Sequence, residues 1–415
     1  MDNLLSEVIK EIKPDKEYEN NVLSKANEII KKINNNIKDA KAILGGSGAK
    51  GTWLKTFDAD IFVKFNYNKD KDKSDGLSGI LGEKLKKIYK KVIRLHGSRD
   101  YFQIKQDKFT FEIVPILDIK NANQAKNITD VSPLHSKFVL KYKNTADDMR
   151  LTKQFCKACN IYGAESYIMG FSGYICEILT IYHGSFLSLI RNAAKWNDIA
   201  IVDIKKYYKG KDIFREINKS KLVSPLIVID PVQKDRNAAA ALIKENFELF
   251  KKKAKEFLNK PSKDFFIIKE FSATALKEKY KDKKLVLLEI EPLKRKDDIV
   301  GAKLLKAFVF LSEESTKKDF KILDKGWNWD KKEKAYFYFI FENNLLPATK
   351  EQIGPPIKLR FHADKFRKKY RKTIIIKKRM VAITKREFRK PEDLIKFLIG
   401  NNYLKDKLNK IKIIE

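Results

Sequence analysis

The sequence predicts a multidomain α+β protein, and three observations support this fold class. The chain has 415 residues, enough for about two to four domains at roughly 100–200 residues each. Apolar residues make up 43% and aromatic residues 11% of the chain, which supplies several cores. Helix-like and strand-like patterns alternate in the N-terminal and C-terminal parts, and a mainly helical stretch separates them.

The first predicted region covers residues 1–144. Helical periodicity runs through residues 3–42, is interrupted at Pro14 and ends before Gly45. From residue 57 to 65 every second side chain is apolar, the period of a half-buried strand. After this strand the pattern predicts a charged loop at 68–79, a helix at 83–94, and strands at 101–105 and 108–117.

Two further regions follow, at 145–260 and 261–415. The first of them is mainly helical, and the α+β pattern returns after Pro261. The predicted helices lie at 147–159, 171–194 and 238–258, and the predicted strands at 226–230, 264–271, 285–291, 335–341 and 373–383.

The charge of the chain is strongly positive: 88 Lys and Arg residues against 54 Asp and Glu residues leave a net charge of +34. A surplus of this size predicts a polyanionic partner, either nucleic acid or an acidic membrane surface. The most apolar stretch, 171–194, contains Glu177, His183 and Arg191. It lacks the roughly 18 uninterrupted apolar residues of a membrane span, so we expect no membrane partner.

The N-terminus and the cysteines predict a cytoplasmic protein. Residues 1–10 carry acids and a lysine where a secretory signal has an apolar core. Cys156 and Cys159 have the spacing of half a redox or zinc site. They fall in a predicted helix, and Cys176 is the one further thiol in the sequence. We therefore interpret them as small buried residues of a helix face.

A glycine-rich turn followed by two aspartates carries the candidate chemistry. Residues 45–51 let backbone N–H groups approach a phosphate, and Ser47 and Lys50 add a hydroxyl and a positive charge. Asp58 and Asp60 occupy alternate positions of the following strand, so both carboxylates project from one face. Adjacent carboxylates repel unless a cation lies between them, and oxygen ligands favour Mg²⁺ over zinc.

A third acid, Glu112, lies in the apolar run 109–115. A lone Glu in a strand ordinarily faces solvent. A two-metal phosphoryl-transfer site, however, usually takes one more carboxylate from a neighbouring strand. Combined with the turn and the aspartate pair, Glu112 completes the predicted set of catalytic metal ligands, Asp58, Asp60 and Glu112.

These motifs resemble a known superfamily. The pattern G-G-S-x-A-K-G-T-W-L, followed by D-x-D and E-I-V-P, is similar to the catalytic head of the DNA polymerase β type nucleotidyltransferases. The flanks resemble the archaeal class I CCA-adding enzymes (tRNA nucleotidyltransferases) in order and spacing from about 43 to 245. The segments that carry this resemblance are 132–135, 150–153, 161–165, 170–174, 176–177, 182–186 and 230–239.

The resemblance implies a catalytic head with a mixed sheet, a helical neck, and an RNA-recognition-like body with a tail at approximately 303–350. It implies stepwise addition of C, C and A to the 3′ end of tRNA from CTP and ATP without a nucleic-acid template, in tRNA maturation and 3′-end repair. Two Mg²⁺ ions are implied: Asp58 and Asp60 would bind both, and Glu112 would complete one site. The residues implied to bind the nucleotide are Ser47, Lys50, His135, Lys153, Tyr162 and Arg236.

Three positions depart from the family pattern. Lys50 stands where the family more often has Arg, which keeps the charge but loses the two-pronged geometry of a guanidinium. Glu112 is one methylene longer than the usual Asp. Arg99 replaces a frequent His, and the sequence leaves its role open.

Residues 358–390 hold the densest positive charge. They contain 15 Lys and Arg residues against two acids, a net charge of +13, interleaved with aromatic residues. This pattern predicts contacts to the RNA backbone rather than to base edges. With the resemblance, it implies binding of the tRNA acceptor stem and elbow. The candidate tRNA contacts are Lys365, Arg367, Lys368, Lys369, Arg371 and Lys372.

Two alternatives remain open from the sequence. One is a poly(A) or other RNA terminal nucleotidyltransferase with the same head. The other is a catalytically inactive RNA-binding protein on this scaffold, against which the three carboxylates argue. The sequence also leaves the oligomeric state open, with a homodimer among the options.

Overall fold

The structure is a computed structural model that describes residues 1–55, 59–370 and 372–415. Asp58 and Arg371, predicted as a metal ligand and a tRNA contact, lie outside the described residues. The chain divides into two units, Met1–Lys269 and Glu270–Glu415. The boundaries predicted at 144 and 260 stay predictions.

The first unit contains both a sheet with flanking helices and a helical core. Its helices are α1 (Asp2–Ile12), α2 (Lys16–Asn36), α3 (Gly46–Lys50), α4 (Tyr67–Asp70), α5 (Leu77–Ile88), α6 (Ser132–Val139), α7 (Ala146–Ala158), α8 (Gly173–His183), α9 (Phe186–Ala193), α10 (Ile213–Glu216) and α11 (Lys244–Asn259). Its strands are β1 (Ala40–Leu44), β2 (Ala59–Asn66), β3 (Ile93–Leu95), β4 (Tyr101–Gln106), β5 (Phe109–Asp118), β6 (Ala200–Val202), β7 (Leu226–Asp230) and β8 (Gln233–Asn237).

A mixed sheet with the order β1-β2-β5-β4-β3 positions the predicted catalytic strand. β2 pairs in parallel with β5, and this register sets Asp60 beside Glu112. The alternate residues Ile61, Val63 and Phe65 are buried against α2 and α5. The period-two pattern therefore marks the covered face, and the acids lie on the opposite face.

The helical core of the same unit is built from α1, α7, α8, α9 and α11. Phe155 is its centre, with ring contacts to Phe186, Phe250, Phe257 and Phe266. Helix α1 packs here rather than on the sheet, because its buried Leu5 and Val8 belong to this cluster. Next to this core, β6, β7 and β8 form a small sheet.

The second unit contains two sheets. Its helices are α12 (Ala273–Lys279), α13 (Asp297–Lys317), α14 (Arg360–Lys369), α15 (Pro391–Ile399) and α16 (Asn402–Lys405), and its strands are β9 (Lys284–Glu291), β10 (Ile322–Trp329), β11 (Ala335–Phe341), β12 (Thr349–Pro356), β13 (Thr373–Ile376), β14 (Arg379–Lys385) and β15 (Lys410–Ile413). One sheet has the order β10-β11-β9-β15 and packs against α13 and α15, whereas the other has the order β12-β14-β13 and contacts α14. The aromatic run 335–341, predicted as a strand within the tail region 303–350, is the interior strand β11.

Several predicted elements differ from the structure. The strand predicted at 264–271 is wrong: Lys263–Phe266 is a 3₁₀ turn, because Phe266 is drawn into the aromatic core around Phe155. The helix predicted at 171–194 is broken by Gly184, whose φ of +85° ends α8, and α9 leaves at an angle of 92°. The strand predicted at 373–383 is the hairpin of β13 and β14.

Within the described residues, no single helix is long and apolar enough to cross a membrane. Helices α8 and α9, which are bent by 92° relative to each other, have the length and apolar composition of a membrane span only when they are taken together.

Arg99, whose role the sequence leaves open, is a structural residue of the sheet region. Its buried guanidinium donates to the side chains of Asp130 and Ser74 and to the carbonyl oxygen of Pro115. Asp130 is fully buried and also accepts backbone N–H groups, from Leu117 among others. The Arg99–Asp130 pair therefore connects β5, through Pro115 and Leu117, to the segments that contain Ser74 and Asp130.

We expect Asp130→Ala to destabilise the protein by about 3–5 kcal/mol, because it leaves the buried Arg99 charge without its partner. The measurement is the urea unfolding midpoint of the full chain. Glu7→Ala, which removes an exposed partner of Lys263, is the control and should leave the midpoint unchanged. Equal midpoints for Asp130→Ala and wild type would contradict this role.

Candidate active site

The glycine-rich turn brings the backbone against the Asp60 side chain. Gly45 N–H donates to the Asp60 carbonyl oxygen at 2.8 Å. Gly46 has a φ of +54°, and a Cβ at this position would lie 1.6 Å from Asp60 Oδ2. Both the backbone conformation and the close approach therefore require glycine. Ser47 follows on the short helix α3, which ends at Gly51.

Asp60 and Glu112 form the described part of the predicted metal site. They are register partners on adjacent parallel strands, and both are half-buried. Gln103 Nε2 donates to Glu112 Oε1 at 3.1 Å. Two carboxylates side by side at an accessible position form an oxygen donor set that fits a divalent cation such as Mg²⁺. In the described part of the chain, which lacks Asp58, no group of three or more His, Cys, Asp or Glu residues has metal-binding geometry.

A buried carboxylate, Glu177 on α8, joins two of the predicted nucleotide-binding lysines. Lys50 Nζ donates to Glu177 Oε2 at 2.6 Å, and Lys153 Nζ donates to Glu177 Oε1 at 2.7 Å. The Thr52 hydroxyl donates to Glu177 Oε1 at 2.6 Å. The Glu177 side chain has no exposed surface, so these donors replace the water it has lost.

The pKa values of this cluster follow from its geometry. Burial raises the pKa of the Glu177 carboxyl, but the ammonium groups of Lys153 and Lys50 outweigh it and hold the pKa at about 2. Burial lowers the pKa of Lys153, and Glu177 opposes that shift. The close ion pairs therefore favour an ionised Glu177.

Helix α7 clamps the segment between α3 and β2. Arg150 Nη2 donates to the Gly51 carbonyl oxygen at 2.7 Å, and Arg150 Nε donates to that of Trp53 at 2.8 Å. Lys153 Nζ donates to the intervening carbonyl oxygen of Thr52 at 3.1 Å. Arg150 and Lys153 are three residues apart and so share one helix face. Two cations of one helix thus hold three consecutive carbonyl groups.

A second buried carboxylate, Asp230 at the end of β7, organises the other predicted nucleotide-binding residues. Arg236 Nη1 donates to Asp230 Oδ2 at 2.6 Å, and His135 Nε2 lies 3.0 Å from the same oxygen. The Tyr174 hydroxyl donates to Asp230 Oδ1 at 3.2 Å, and its ring stacks on His135 with centroids 4.0 Å apart. Burial raises the pKa of Asp230, but His135 and the other donors bring it below its ordinary value.

Tyr162 is partly buried and packs against the helical core. A Cβ on Gly173 would lie 2.7 Å from the Tyr162 hydroxyl and 3.7 Å from Lys153 Cε, which shows that Tyr162 and Lys153 approach the same point of α8. Burial raises the pKa of the Tyr162 hydroxyl far above its ordinary range. The Tyr162 hydroxyl is therefore neutral.

The structure thus groups six of the predicted site residues into three pairs: Asp60 with Glu112, Lys50 with Lys153, and His135 with Arg236. His135 lies on α6. The sequence prediction gave Glu177 no role. The available signal was the one acid of the mainly apolar segment 173–183, since a buried charge needs a partner. Tyr174 and Asp230 were likewise given no role.

Comparisons with known proteins cover the whole of this arrangement. Residues 23–143 match the nucleotidyltransferase domain model, residues 147–267 the second domain of tRNA nucleotidyltransferase, and residues 283–404 the C-terminal domain of CCA-adding enzyme. The chain is 33% identical over 418 residues to the CCA-adding enzyme of Methanocaldococcus jannaschii, an alignment that covers 97% of this chain and 91% of that protein. The chain belongs to the CCA-adding enzyme family.

Other relatives agree with this membership. The CCA-adding enzyme of Nanoarchaeum equitans is 35% identical over 334 residues, which covers 80% of each chain. The family resemblance drawn from the motifs is therefore confirmed, and so is the nucleotidyltransferase activity class of the family.

Solved structures support the fold. The poly(U) polymerase Cid1, an RNA terminal uridylyl transferase, gives a TM-score of 0.52 at 13% identity over 65% of this chain and 98% of that chain. A cytoplasmic RNA terminal U-transferase gives a TM-score of 0.50 at 15% identity over the same shares. The predicted multidomain α+β fold with a polymerase-β-type head is confirmed.

We expect the stability difference between wild type and Glu177→Gln to shrink as the pH falls. The pKa of Glu177 is depressed to about 2 from an ordinary 4.5, so its stabilisation is complete above about pH 4.5 and is lost between pH 4.5 and pH 2. The measurement is the urea midpoint of both proteins at pH 7, 5, 4 and 3. A difference that stays constant over this range would contradict the ionised, ion-paired state of Glu177.

Proposed function

We propose that the protein adds C, C and A stepwise to the 3′ end of tRNA, from CTP and ATP, without a nucleic-acid template. The observation that carries this proposal is the pairing of Asp60 with Glu112 beside the glycine-rich turn, in a chain that aligns with CCA-adding enzymes over nearly its whole length. The reaction serves tRNA maturation and repair, and we expect it in the cytoplasm with the tRNA pool.

The proposed step is attack of the tRNA 3′ oxygen on the α-phosphorus of the nucleotide. A bond forms between these atoms, the bond to the bridging oxygen of the β-phosphate breaks, and pyrophosphate leaves. The 3′ hydroxyl loses its proton to solvent in this step, and Glu112 is proposed to help activate it. Asp58, Asp60 and Glu112 are proposed to hold two Mg²⁺ ions, which when bound would stabilise charge on the attacking and leaving oxygens. Gly46 lets the backbone and the Asp60 carboxylate share one small space.

The other proposed contacts place positive and neutral donors around the nucleotide. Ser47 and Lys50 come from the glycine-rich turn, and His135, Lys153 and Tyr162 from the surrounding helices and turn. Arg236, on β8, is proposed to read the base edge, and its side chain is 29% exposed. Asp230 supports this role because it fixes the guanidinium at one end.

The proposed tRNA surface lies on the second unit. Lys365, Arg367, Lys368, Lys369 and Lys372 are all exposed, and all but Lys372 belong to α14. Lys365 Nζ lies 4.5 Å from the centroid of the exposed Phe361 ring. Exposed cations beside an aromatic ring suit the phosphate backbone and an unstacked base. We propose that this surface contacts the acceptor stem or elbow, and that binding weakens steeply with salt.

The test of the function is incubation with three tRNAs, which end before, within and after the CCA sequence, with CTP and ATP supplied separately and together. We expect CTP to extend the shortest tRNA by two residues and ATP to complete it, while the finished tRNA stays unchanged. Homopolymeric tails in the presence of all four nucleotides would favour a poly(A) or other terminal transferase. Absence of pyrophosphate release with Mg²⁺ and the shortest tRNA would favour the inactive RNA-binding protein.

We expect Asp60→Asn and Glu112→Gln each to lower CTP incorporation at least about a hundredfold, because metal stabilisation of the transition state is worth several kcal/mol. Binding of tRNA, measured by gel shift, should stay unchanged. The control is Asp107→Asn in the turn between β4 and β5, an exposed acid whose left-handed backbone Asn tolerates. Near-normal incorporation by Asp60→Asn would overturn the site assignment.

We expect Lys365→Ala/Lys368→Ala/Lys369→Ala to weaken tRNA binding. The slope of log affinity against log salt should become shallower by roughly 0.7–0.9 for each phosphate that the variant no longer neutralises. The measurement is the tRNA dissociation constant at several salt concentrations. The control, Lys86→Ala/Lys87→Ala on α5, removes lysines of the first unit. An unchanged slope in the α14 variant would contradict the proposed surface.

A further inference from the structure

A cavity of about 480 Å³ in the first unit is lined by residues that have no place in the proposed metal or nucleotide sites. Its apolar lining includes Tyr182 on α8, Ile201 on β6 and Phe214 on α10, whose exposed fractions are 44%, 44% and 41%. Binding sites for small molecules have volumes of about 300–1,000 Å³, so the cavity is large enough for one nucleotide. Large exposed apolar side chains that border one cavity indicate an interaction site.

The same cavity is bordered by positive charge. Lys206, Lys209 and Lys211 line it together with Tyr208. Most of its lining comes from residues 203–221, called here the lysine-rich segment, which contain seven Lys and Arg residues against three acids, a net charge of +4. Cations beside exposed aromatic rings are typical of sites for single-stranded nucleic acid, because the cations contact phosphates and the rings stack on bases.

Asp203 adds a hydrogen-bond acceptor to the lining. Its Oδ2 accepts the backbone N–H of Tyr208 at 2.8 Å. Its Oδ1 is buried and has no hydrogen-bond partner among the described residues. A buried acceptor without a donor is costly, and a ribonucleotide offers donors in its 2′ hydroxyl group and in the amino group of cytosine or adenine. The lining therefore fits a group that carries phosphate, a flat base and a hydrogen-bond donor.

The lysine-rich segment is bonded to the part of the chain that carries the proposed base-reading residue. The Tyr207 hydroxyl donates to the carbonyl oxygen of Pro231 at 2.8 Å, and the Tyr208 hydroxyl donates to that of Lys234 at 3.0 Å. Both acceptors belong to residues 230–236, which begin and end with the ion-paired acid and arginine described above. Through Tyr208, the cavity is thus connected to the region where the RNA end is proposed to receive its nucleotide.

We propose that this cavity and the lysine-rich segment bind the unpaired nucleotides at the 3′ end of the RNA substrate. Phe214 stacks on a base, and Lys209 and Lys211 contact the phosphates on either side of it. This inference rests on the proposed function for the identity of the RNA. It places a second RNA contact in the first unit, in addition to the surface proposed on α14.

The experiment measures the binding of two fluorescent RNA hairpins to the full chain by anisotropy. One hairpin is blunt, and the other carries three unpaired nucleotides at its 3′ end. We expect Phe214→Ala to raise the dissociation constant of the overhanging hairpin about 5- to 150-fold, equivalent to about 1–3 kcal/mol for one stacking contact, and to leave that of the blunt hairpin unchanged. The matched control is Phe397→Ala in the second unit, a ring that is 60% exposed, and it should change neither constant.

Lys209→Ala/Lys211→Ala tests the phosphate contacts with the same two hairpins. For the overhanging hairpin, the slope of log affinity against log salt should become shallower by roughly 0.7 for each phosphate contact that is lost. Lys86→Ala/Lys87→Ala on α5 is the control and should leave the slope unchanged. Both lysines of the test variant are exposed, so this arm still tests the proposal if Phe214→Ala fails to fold.

An equal loss of affinity for both hairpins in Phe214→Ala would overturn the proposal, because it would indicate contact with paired RNA. Unchanged RNA affinity in both test variants would also overturn it, and a loss of self-association by sedimentation would then assign the cavity to a second copy of the chain. The expected binding pattern without extension of either hairpin by CTP and ATP would refute the proposed function and leave the inference supported. Extension by wild type, with normal RNA binding by both test variants, would refute the inference alone.

Discussion

A carboxylate that is completely buried needs a hydrogen-bond donor for each of its oxygens, because it has lost its water. Glu177 is such a carboxylate, and the need for donors constrains several elements of the first unit. Its donors come from α3, from the segment after α3 and from α7. The same α7 face also holds the carbonyl groups of residues 51–53. The ion cluster therefore joins the glycine-rich turn to the helical core, and the geometry of the turn depends on it.

The site uses carboxylates in two different environments. Glu177 and Asp230 are fully buried and surrounded by cations and hydroxyl groups, so they stay ionised and position other side chains. Asp60 and Glu112 are half-buried on adjacent strands, where a divalent cation can reach their oxygens. Burial thus separates the acids that position the residues proposed to bind the nucleotide from the acids proposed to take part in the chemistry.

The sequence prediction was accurate where local interactions determine the structure, and it failed where contacts between residues distant in sequence determine it. The strand through Asp60 was predicted correctly, because alternation is a local property of the chain. The strand predicted at 264–271 failed because Phe266 joins an aromatic core more than a hundred residues away in sequence, around Phe155. The break in 171–194 was missed because an isolated glycine inside an apolar run does not reveal that it will adopt a left-handed conformation.

The sequence by itself determined the family, the alternation that presents Asp60 of β2 on the face opposite Ile61, Val63 and Phe65, and the candidate cations Lys50, Lys153 and Arg236. These follow from spacing along the chain. Only the tertiary structure decided which cation forms an ion pair with which acid. Lys153 and Lys50 are similar in sequence terms, but the fold surrounds one with three acceptors and leaves the other partly exposed. The hydrogen bonds of each lysine depend on groups up to 127 residues away in the sequence, so the local sequence pattern does not specify them.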